Sequence, residues 1–344
     1  MSDPQPDRPR RRPRYSGKNP RRFEEKYKEH APDRYAADVA KVLASGKTPA
    51  GMHRPIMVRE ILEVLAPQPG EIAVDCTLGY GGHAQEILSA IRPGGRLLGL
   101  DADPLELPKT EARLRTLGFP PETLAVHRMN FAGLAQLLSR EAPDGADVIL
   151  ADLGVSSMQI DNPARGFTFK TAGPLDLRMN PDRGQPASAL LATLTAPKLE
   201  RLLTENADEP HAPLLASALL RTPITTTTAL AAAIREALGA VPRCAPDDSV
   251  RRVFQALRIA VNDEFAALDT FLRHLPGCLR PGGRVAILTF HSGEDRRVKH
   301  AFKTGAQDGL YAEIARDVVR PGAEEVRANP RSSSAKLRWA RKSE

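Results

Sequence analysis

Two carboxylates, Asp101 and Asp152, and a glycine turn running up to His83 are the residues of this 344-residue chain best suited to chemistry. The run Ala73-Val74-Asp75-Cys76-Thr77-Leu78-Gly79-Tyr80-Gly81-Gly82-His83 is a short apolar stretch ending in an acid, followed by closely spaced glycines. Leu98-Gly99-Leu100-Asp101 answers it with a second apolar stretch ending in an acid. That order is the strand–turn–helix–strand arrangement that holds an adenosine. The glycines let backbone approach the ligand closely, and a carboxylate at the second strand end accepts both ribose hydroxyls.

The glycine spacing separates two cofactors. A dinucleotide site wants G-x-G-x-x-G, so that helix amides cradle a pyrophosphate. Here Gly79, Gly81 and Gly82 are followed by His83 and Ala84, with no third glycine in phase. S-adenosylmethionine has no phosphate; it needs a looser turn for its amino-acid tail and the acid at the second strand end, and both are present. A nicotinamide-dependent dehydrogenase is therefore the weaker alternative, which an NADH titration would distinguish.

The elements that must position these residues follow from the pattern around them. Ile56, Met57, Ile61, Leu62 and Leu65 recur at helical spacing before a strand over Ile72–Cys76. Helices over Ala84–Ile91, Glu111–Leu117 and Phe131–Ser139 alternate with strands over Arg96–Leu100, Leu124–His127 and Asp147–Leu150, which predicts a parallel sheet. The alternation stops after Asp152. Helices over Ala187–Leu194, Ala196–Thr204, Leu214–Leu220 and Thr227–Leu238 then follow without a convincing strand, and alternation resumes with a helix over Val250–Leu275 and a strand over Val285–Phe290. The reading is an α/β fold: a Rossmann-like, doubly wound, parallel-rich sheet interrupted by a helical insertion. Its parts are a basic, disordered extension over 1–50, a first part of the nucleotide-binding domain over 51–157, a substrate-recognition insertion over 158–244, and a second part with a basic C-terminal segment over 245–344.

Composition narrows the class. A net charge of +7 and a pI near 9.4 suit a polyanionic partner, and Arg8-Pro9-Arg10-Arg11-Arg12-Pro13-Arg14 concentrates part of that charge at one end. Cys76, Cys244 and Cys278 are far apart, with no C-x-x-C pair, which argues against a disulfide framework or a zinc site; no metal is expected. No apolar run is long enough to span a bilayer, and no apolar core follows the basic start. The expectation is a cytoplasmic protein with no membrane partner.

Several segments fall at strand ends, where open α/β sheets bind ligands. They are Gly79–His83, Asp101, Asn130-Phe131 and Ala151-Asp152-Leu153-Gly154-Val155-Ser156-Ser157-Met158-Gln159. With Arg165-Gly166-Phe167-Thr168-Phe169, Gly173-Pro174-Leu175-Asp176-Leu177-Arg178-Met179, Phe254–Asn262, Phe290-His291-Ser292 and Asn329-Pro330-Arg331, they resemble the bacterial ribosomal RNA small-subunit methyltransferase H family, also called MraW. The resemblance covers about His53 to Arg338. It implies S-adenosylmethionine-dependent methylation of the exocyclic N4 of a cytidine in the decoding region of small-subunit (16S) ribosomal RNA, within a ribosomal particle. The family's cofactor positions fall on Gly81, Gly82, His83, Asp101, Phe131, Asp152 and Gln159.

An acceptor must draw on an amine N–H whose nitrogen lone pair is delocalised into the ring, and Asp152 is the candidate catalytic group for that part, with nearby backbone carbonyls as the other candidates and a carboxylate that only orients the ligand as the alternative role for Asp152. Arg165, Arg178, Arg258, Arg296, Lys299, Arg331, Lys336 and Arg338 are candidates for RNA phosphate, and Phe167 and Phe169 for stacking on an extruded base. The chain departs from the family in Ala84 for Ser, in Gly293 for Leu, in Glu209-Pro210-His211-Ala212-Pro213 for a charged helix, and in an arginine-rich segment before His53 that reads as extra. A methyltransferase of another nucleic-acid base and a non-catalytic RNA-binding assembly factor are the alternative functions, and a homodimer is compatible with all of them.

Overall fold

The computed structural model describes residues 55–344, so the basic extension expected over 1–50 lies outside the described residues. The described chain opens with helix α1 (Val58–Leu65), which buries Ile61 and Leu65 and ends at Ala66 in the left-handed region, just before Pro67. Then follow β1 (Ile72–Asp75), α2 (Gly82–Ala90), β2 (Arg96–Asp101), α3 (Leu107–Thr116), β3 (Leu124–Arg128), a 3-10 turn (Phe131–Gly133), α4 (Leu134–Glu141) and β4 (Ala146–Asp152). The insertion holds α5 (Ser157–Asp161), α6 (Ala187–Thr193), α7 (Ala196–Ala207), α8 (Ala212–Leu219) and α9 (Thr227–Leu238). The chain returns through α10 (Pro246–Asn262), α11 (Glu264–Cys278), β5 (Leu279–Thr289), α12 (Ser292–Gln307), β6 (Tyr311–Ile314), α13 (Ala323–Ala328) and β7 (Lys336–Lys342).

The strands form one sheet in the order β3-β2-β1-β4-β5-β7-β6. Strands β1 to β5 pair in parallel, while β7 runs antiparallel to both β5 and β6. The expected α/β, parallel-rich, Rossmann-like architecture is what the chain adopts. Its strands read as nearly continuous apolar runs because helices cover both faces. Val74, Leu98, Ile149, Val285 and Ile287 pack with α4, α11 and α12. The residues between them, Ala73, Leu97, Val148, Leu150 and Ala286, pack with α1, α2 and α3 on the other face. The order reverses between β1 and β4, and the crevice at such a reversal is where a sheet of this kind takes its ligand.

Two expectations change. The helix read over Val250–Leu275 is two helices, broken at Asp263, which adopts φ 51°. Aspartate tolerates that left-handed conformation better than most residues, and two bonds from Arg258 Nε and Nη2 to Glu264, each 2.8 Å, brace the break. The insertion's apolar cluster also reaches past residue 244: Leu199, Leu203, Leu215 and Ile234 pack with Val250, Val253, Phe254 and Leu257 of α10. Phe169 lies against Phe254 with ring centroids 5.3 Å apart, and Phe167 packs at the edge of the same cluster. Both rings thus serve the insertion's core.

Gly293 explains one departure from the family. A Cβ built there would meet Phe265 Cζ at 2.6 Å, so the phenyl ring of α11 fills the space a larger side chain would take. The Arg297 guanidinium caps that ring, 3.6 Å from its centroid. Gly293→Leu is therefore expected to overpack this junction and destabilise the protein by roughly 1–3 kcal/mol. Trimming the ring in the double variant with Phe265→Ala should recover part of the loss. Urea denaturation of the four proteins checks this, and strictly additive effects would mean that the two positions do not compete for space.

Candidate functional site

The site is assembled from the carboxyl ends of β1, β2 and β4. After β1 the chain turns through Gly79 and Gly81, and Gly81 caps α2 with φ 78°. A side chain is strained at that φ, and a Cβ there would also lie 2.9 Å from Thr110 Cγ2. Thr110 of α3 donates its hydroxyl to the Gly79 carbonyl (2.5 Å), and Arg113 donates to the Tyr80 carbonyl while stacking on the Tyr80 ring. The turn is thus held open from outside. Gly82 and His83 begin the helix, where N–H groups have no intrahelical acceptor and can meet a ligand.

Asp101 closes β2 and is tied to the turn. Its Oδ2 accepts from Gly79 N (2.7 Å) and its Oδ1 from Asp103 N (2.8 Å). Each oxygen keeps a second lone pair, which leaves the carboxylate able to take two hydroxyl donors at once. Burial raises its pKa, and these two backbone donors work against that rise. Phe131 follows Asn130, whose side chain accepts from Ala132 N, and sets its edge on the Phe271 ring at 5.4 Å and 71°. Gln159 lies in the first turn of α5. Its amide oxygen accepts from Ser156 N (3.0 Å) and its amide nitrogen donates to Asp103 Oδ2 (2.8 Å).

Asp152 ends β4 beside the turn. Its N–H donates to Thr77 Oγ1 (2.6 Å), which binds the β4 end to the β1 turn. Its Oδ1 is enclosed and has no hydrogen-bond partner among the described residues, and its Oδ2 lies 3.6 Å from His83 Nδ1. Enclosure, then the nearby charge of Glu294, push its pKa up to about 7. Beneath it the Asp75 carboxyl is fully buried and accepts from Thr77 N; burial raises its pKa to about 6 against the pull of His83. Burial lowers the pKa of His83, whose Nε2 is 2.9 Å from the Ile56 carbonyl. Asp101, Asp152, the glycine turn and His83 are therefore gathered at one crevice, with Gln159 tied to it through Asp103.

Asp103 and Asp75 were not singled out from sequence. Asp103 Oδ2 also accepts from Arg165 Nη1 (2.7 Å), in an ion pair whose side chains are 2% and 6% exposed. Arg165 Nη2 continues to the carbonyls of Met179 (2.8 Å) and Arg178 (3.1 Å), so the insertion's loop is fixed to the turn that carries Asp101. An acid two residues after Asp101 was the available signal; its partner is 62 residues away.

The arginines expected to face RNA are mostly committed elsewhere. Arg165 pairs with Asp103, Arg178 with Asp176, Arg258 with Glu264 and Arg296 with Asp208. Arg331 pairs with Asp161, and both Lys336 and Arg338 with Asp295. Arg165, Arg258 and Arg338 are largely buried in their pairs and position elements, whereas Arg296 and Arg331 stay 59% and 43% exposed. Glu264, His291 and Glu294 bring potential metal donors within 4.8 Å of one another. Arg258 takes both oxygens of Glu264, though, and Glu294 Oε2 accepts from Phe290 N, so the trio knits α10, α11 and α12 together.

A sheet of this order, with a glycine turn after its first strand and acids at the ends of its second and fourth, is the framework of an S-adenosylmethionine-dependent methyltransferase. The chain belongs to the MraW methylase family, whose profile matches residues 50–343; it is an enzyme of that class, and S-adenosylmethionine is its cofactor. It is 50% identical over 339 residues to ribosomal RNA small subunit methyltransferase H 2 of Alkaliphilus metalliredigens, covering 96% of this chain and 97% of that one. It is 48% identical over 340 residues to ribosomal RNA small subunit methyltransferase H 1 of Lachnoclostridium phytofermentans, covering 96% and 92%. The few per cent of the chain outside these matches cannot hold all of residues 1–53. At least part of the segment read as extra is thus shared with these relatives.

The residues present fit that cofactor. The Asp101 carboxylate has lone pairs to spare for a ribose, the helix start presents unpaired N–H groups, and Asp152 offers an unpartnered oxygen beside the turn. Among the described residues no helix is long and apolar enough to cross a membrane.

Proposed function

We propose that the protein transfers a methyl group from S-adenosylmethionine to the exocyclic N4 of a cytidine in the decoding region of small-subunit (16S) ribosomal RNA, acting in the cytoplasm on RNA presented in a ribosomal particle. The observation that carries this reading is the Asp152 carboxylate, placed at the end of β4 with a buried, unpartnered Oδ1 while the side chain as a whole stays 27% exposed. An exocyclic amine has a delocalised lone pair and needs an acceptor for its N–H as the nitrogen pyramidalises. A hydroxyl acceptor also sheds a proton, so the carboxylate suits an acceptor bearing N–H or O–H, and the resemblance to the family is what points to the amine. The names of the relatives at 48–50% identity support the RNA, as does a net charge of +7.

Under this reading Asp101 takes the ribose hydroxyls, Phe131 flanks the adenine, and Gly81, Gly82 and the backbone of His83 meet the amino-acid tail. Gln159 closes the adenine side through its bond to Asp103. When bound, the cofactor supplies a sulfonium methyl that is already electrophilic. The protein's task is alignment, and holding amine and methyl in line can contribute roughly 7–11 kcal/mol. The helical segment 158–244, tied to the site through Arg165 and Asp103, is assigned to RNA recognition, between the catalytic segments 51–157 and 245–344. An extruded base reaches such a site, whereas a base kept in a duplex must first be unstacked.

Nucleoside mapping of small-subunit RNA by mass spectrometry, from cells with and without the protein, tests the reading. Loss of one N4-methylated cytidine in the decoding region is expected. Its persistence in cells lacking the protein would refute the assignment.

A further inference from the structure

Arg165 was a candidate for RNA phosphate, yet its guanidinium is buried and reaches inward in two directions. Its Nη1 donates to Asp103 Oδ2 at 2.7 Å, and its Nη2 donates to the carbonyls of Arg178 (3.1 Å) and Met179 (2.8 Å). Asp103 is where the parts of the candidate cofactor site meet. Its N–H donates to Asp101 Oδ1, its Oδ1 accepts from Leu105 N (2.9 Å) and Glu106 N (3.3 Å) just before α3, and its Oδ2 takes Gln159 Nε2 beside Arg165. One buried acid thus orients both the Asp101 carboxylate and the Gln159 amide.

The second arm of Arg165 holds the insertion's loop at Leu177–Met179. Asn262 at the end of α10 grips the same loop from its other side, accepting from Met179 N (2.7 Å) and donating to the Leu177 carbonyl (2.7 Å). Asp182, further along, lies 3.9 Å from Arg128 at the end of β3. The loop therefore follows the carboxyl ends of β2 and β3, on the side of the crevice where Asp101 stands. Leu177 adopts φ 65°, and strain of that kind persists only where the surroundings over-determine the backbone. An ion pair taken out of water adds little stability over apolar side chains, so what it supplies is direction, and a planar guanidinium fixes two directions at once.

We propose that Arg165 is a positioning residue that joins the cofactor site to the insertion. Through Asp103 it holds Asp101 and Gln159 in place for S-adenosylmethionine, and through its second arm it sets the loop Leu177–Met179 for the incoming RNA. The inference rests on the readings of Asp101 and Gln159 as cofactor ligands and of residues 158–244 as the RNA-recognition part.

Three variants of the full chain separate the two arms, read by calorimetric titration with S-adenosylmethionine, by melting temperature and by KM for purified small subunits. Arg165→Met leaves the Asp103 carboxylate buried and unpaired, so it should melt about ten degrees lower and bind S-adenosylmethionine about tenfold more weakly. Adding Asp103→Asn to Arg165→Met removes both charges, and most of the melting temperature should return. Asparagine offers one oxygen where aspartate has two, so it cannot serve both Leu105 N and Gln159 Nε2, and the affinity should stay about tenfold low. Arg165→Lys keeps a charge for Asp103 but lacks the fork that also spans two carbonyls. Its affinity should stay within about threefold of the parent's while KM for small subunits rises about tenfold.

Parent affinity in the double variant would overturn the proposal and make the pair structural only. Equal affinity losses in Arg165→Lys and Arg165→Met would overturn the action through Asp103, and an unchanged KM in Arg165→Lys would overturn the second arm. A loss confined to RNA affinity in Arg165→Met would make Arg165 a phosphate contact. If Arg165→Met does not fold, the double variant and Arg165→Lys carry the same decision. Parent affinity in Asp101→Ala would instead refute the reading of the cofactor ligands, and the positioning with it.

Discussion

Asp152→Asn is expected to slow methyl transfer roughly 10²–10⁴-fold at saturating cofactor and RNA while changing cofactor affinity little. The amide has nearly the shape of the carboxylate, so the crevice keeps its form. It cannot take up a proton, and it offers only a neutral acceptor as positive charge grows on the amine, an interaction felt mainly in the transition state. The pH dependence gives a second handle. In the parent the group is protonated below about pH 7 and becomes an acceptor above it, so kcat/KM for the free enzyme should rise through that pH. The variant should lack that limb. Single-turnover rates across pH decide the matter, and a loss of cofactor affinity with no loss of rate at saturation would make Asp152 a binding residue only.

Stability should move the other way. The folded protein holds a proton on Asp152 up to about pH 7, whereas the unfolded chain releases it near the ordinary aspartate value of 3.8. The fold is therefore favoured most below pH 3.8 and loses that contribution as pH rises through about 7. Asp152→Asn removes the loss, so the variant should melt higher than the parent at pH 8, and the gap should narrow towards pH 4. Asp75 is raised to about 6 with the same sign and partly by the Asp152 charge, so its rise should shrink in the variant and widen the gap at high pH.

Asp101→Ala should weaken S-adenosylmethionine binding roughly 10²–10⁴-fold. Two hydroxyl-to-carboxylate bonds are lost, each contributing about 1.5–3 kcal/mol. The substitution also removes the acceptor for Gly79 N and Asp103 N, so the glycine turn loosens along with the ribose contact. Asp101→Asn keeps an oxygen acceptor and should fall between the parent and Ala. Calorimetric titration of proteins shown to be folded by circular dichroism measures all three. An unchanged dissociation constant for the alanine variant would remove Asp101 from the site.

The parallel half of the sheet was legible because its strands are buried on both faces. Ile72–Asp75, Arg96–Asp101 and Ala146–Asp152 are apolar runs bounded by acids and turns, and no helix pattern competes with them. The antiparallel half was not. Tyr311–Ile314 is four residues long, and its two central residues are exposed. Lys336–Lys342 carries four cations and read as a basic segment. What makes it a strand is pairing with β5 and the capture of Lys336 and Arg338 by Asp295, a partner some forty residues away.

The same limit applies at the site. Asp101, the glycines and Asp152 announce themselves locally, whereas the Asp103–Arg165 pair and the contact of His83 with Asp152 exist only through space. Charge was the least reliable guide. An arginine looks alike in sequence whether it faces a phosphate or a buried acid, and Arg258 and Arg338 are braces within the fold.

The central claim is met most directly by incubating the purified protein with methyl-labelled S-adenosylmethionine and purified small ribosomal subunits, beside naked ribosomal RNA and DNA, and digesting each to nucleosides. The account predicts label in N4-methylcytidine, chiefly from the subunits. Label on carbon-5 of cytosine, on adenine, or preferentially in DNA would contradict it.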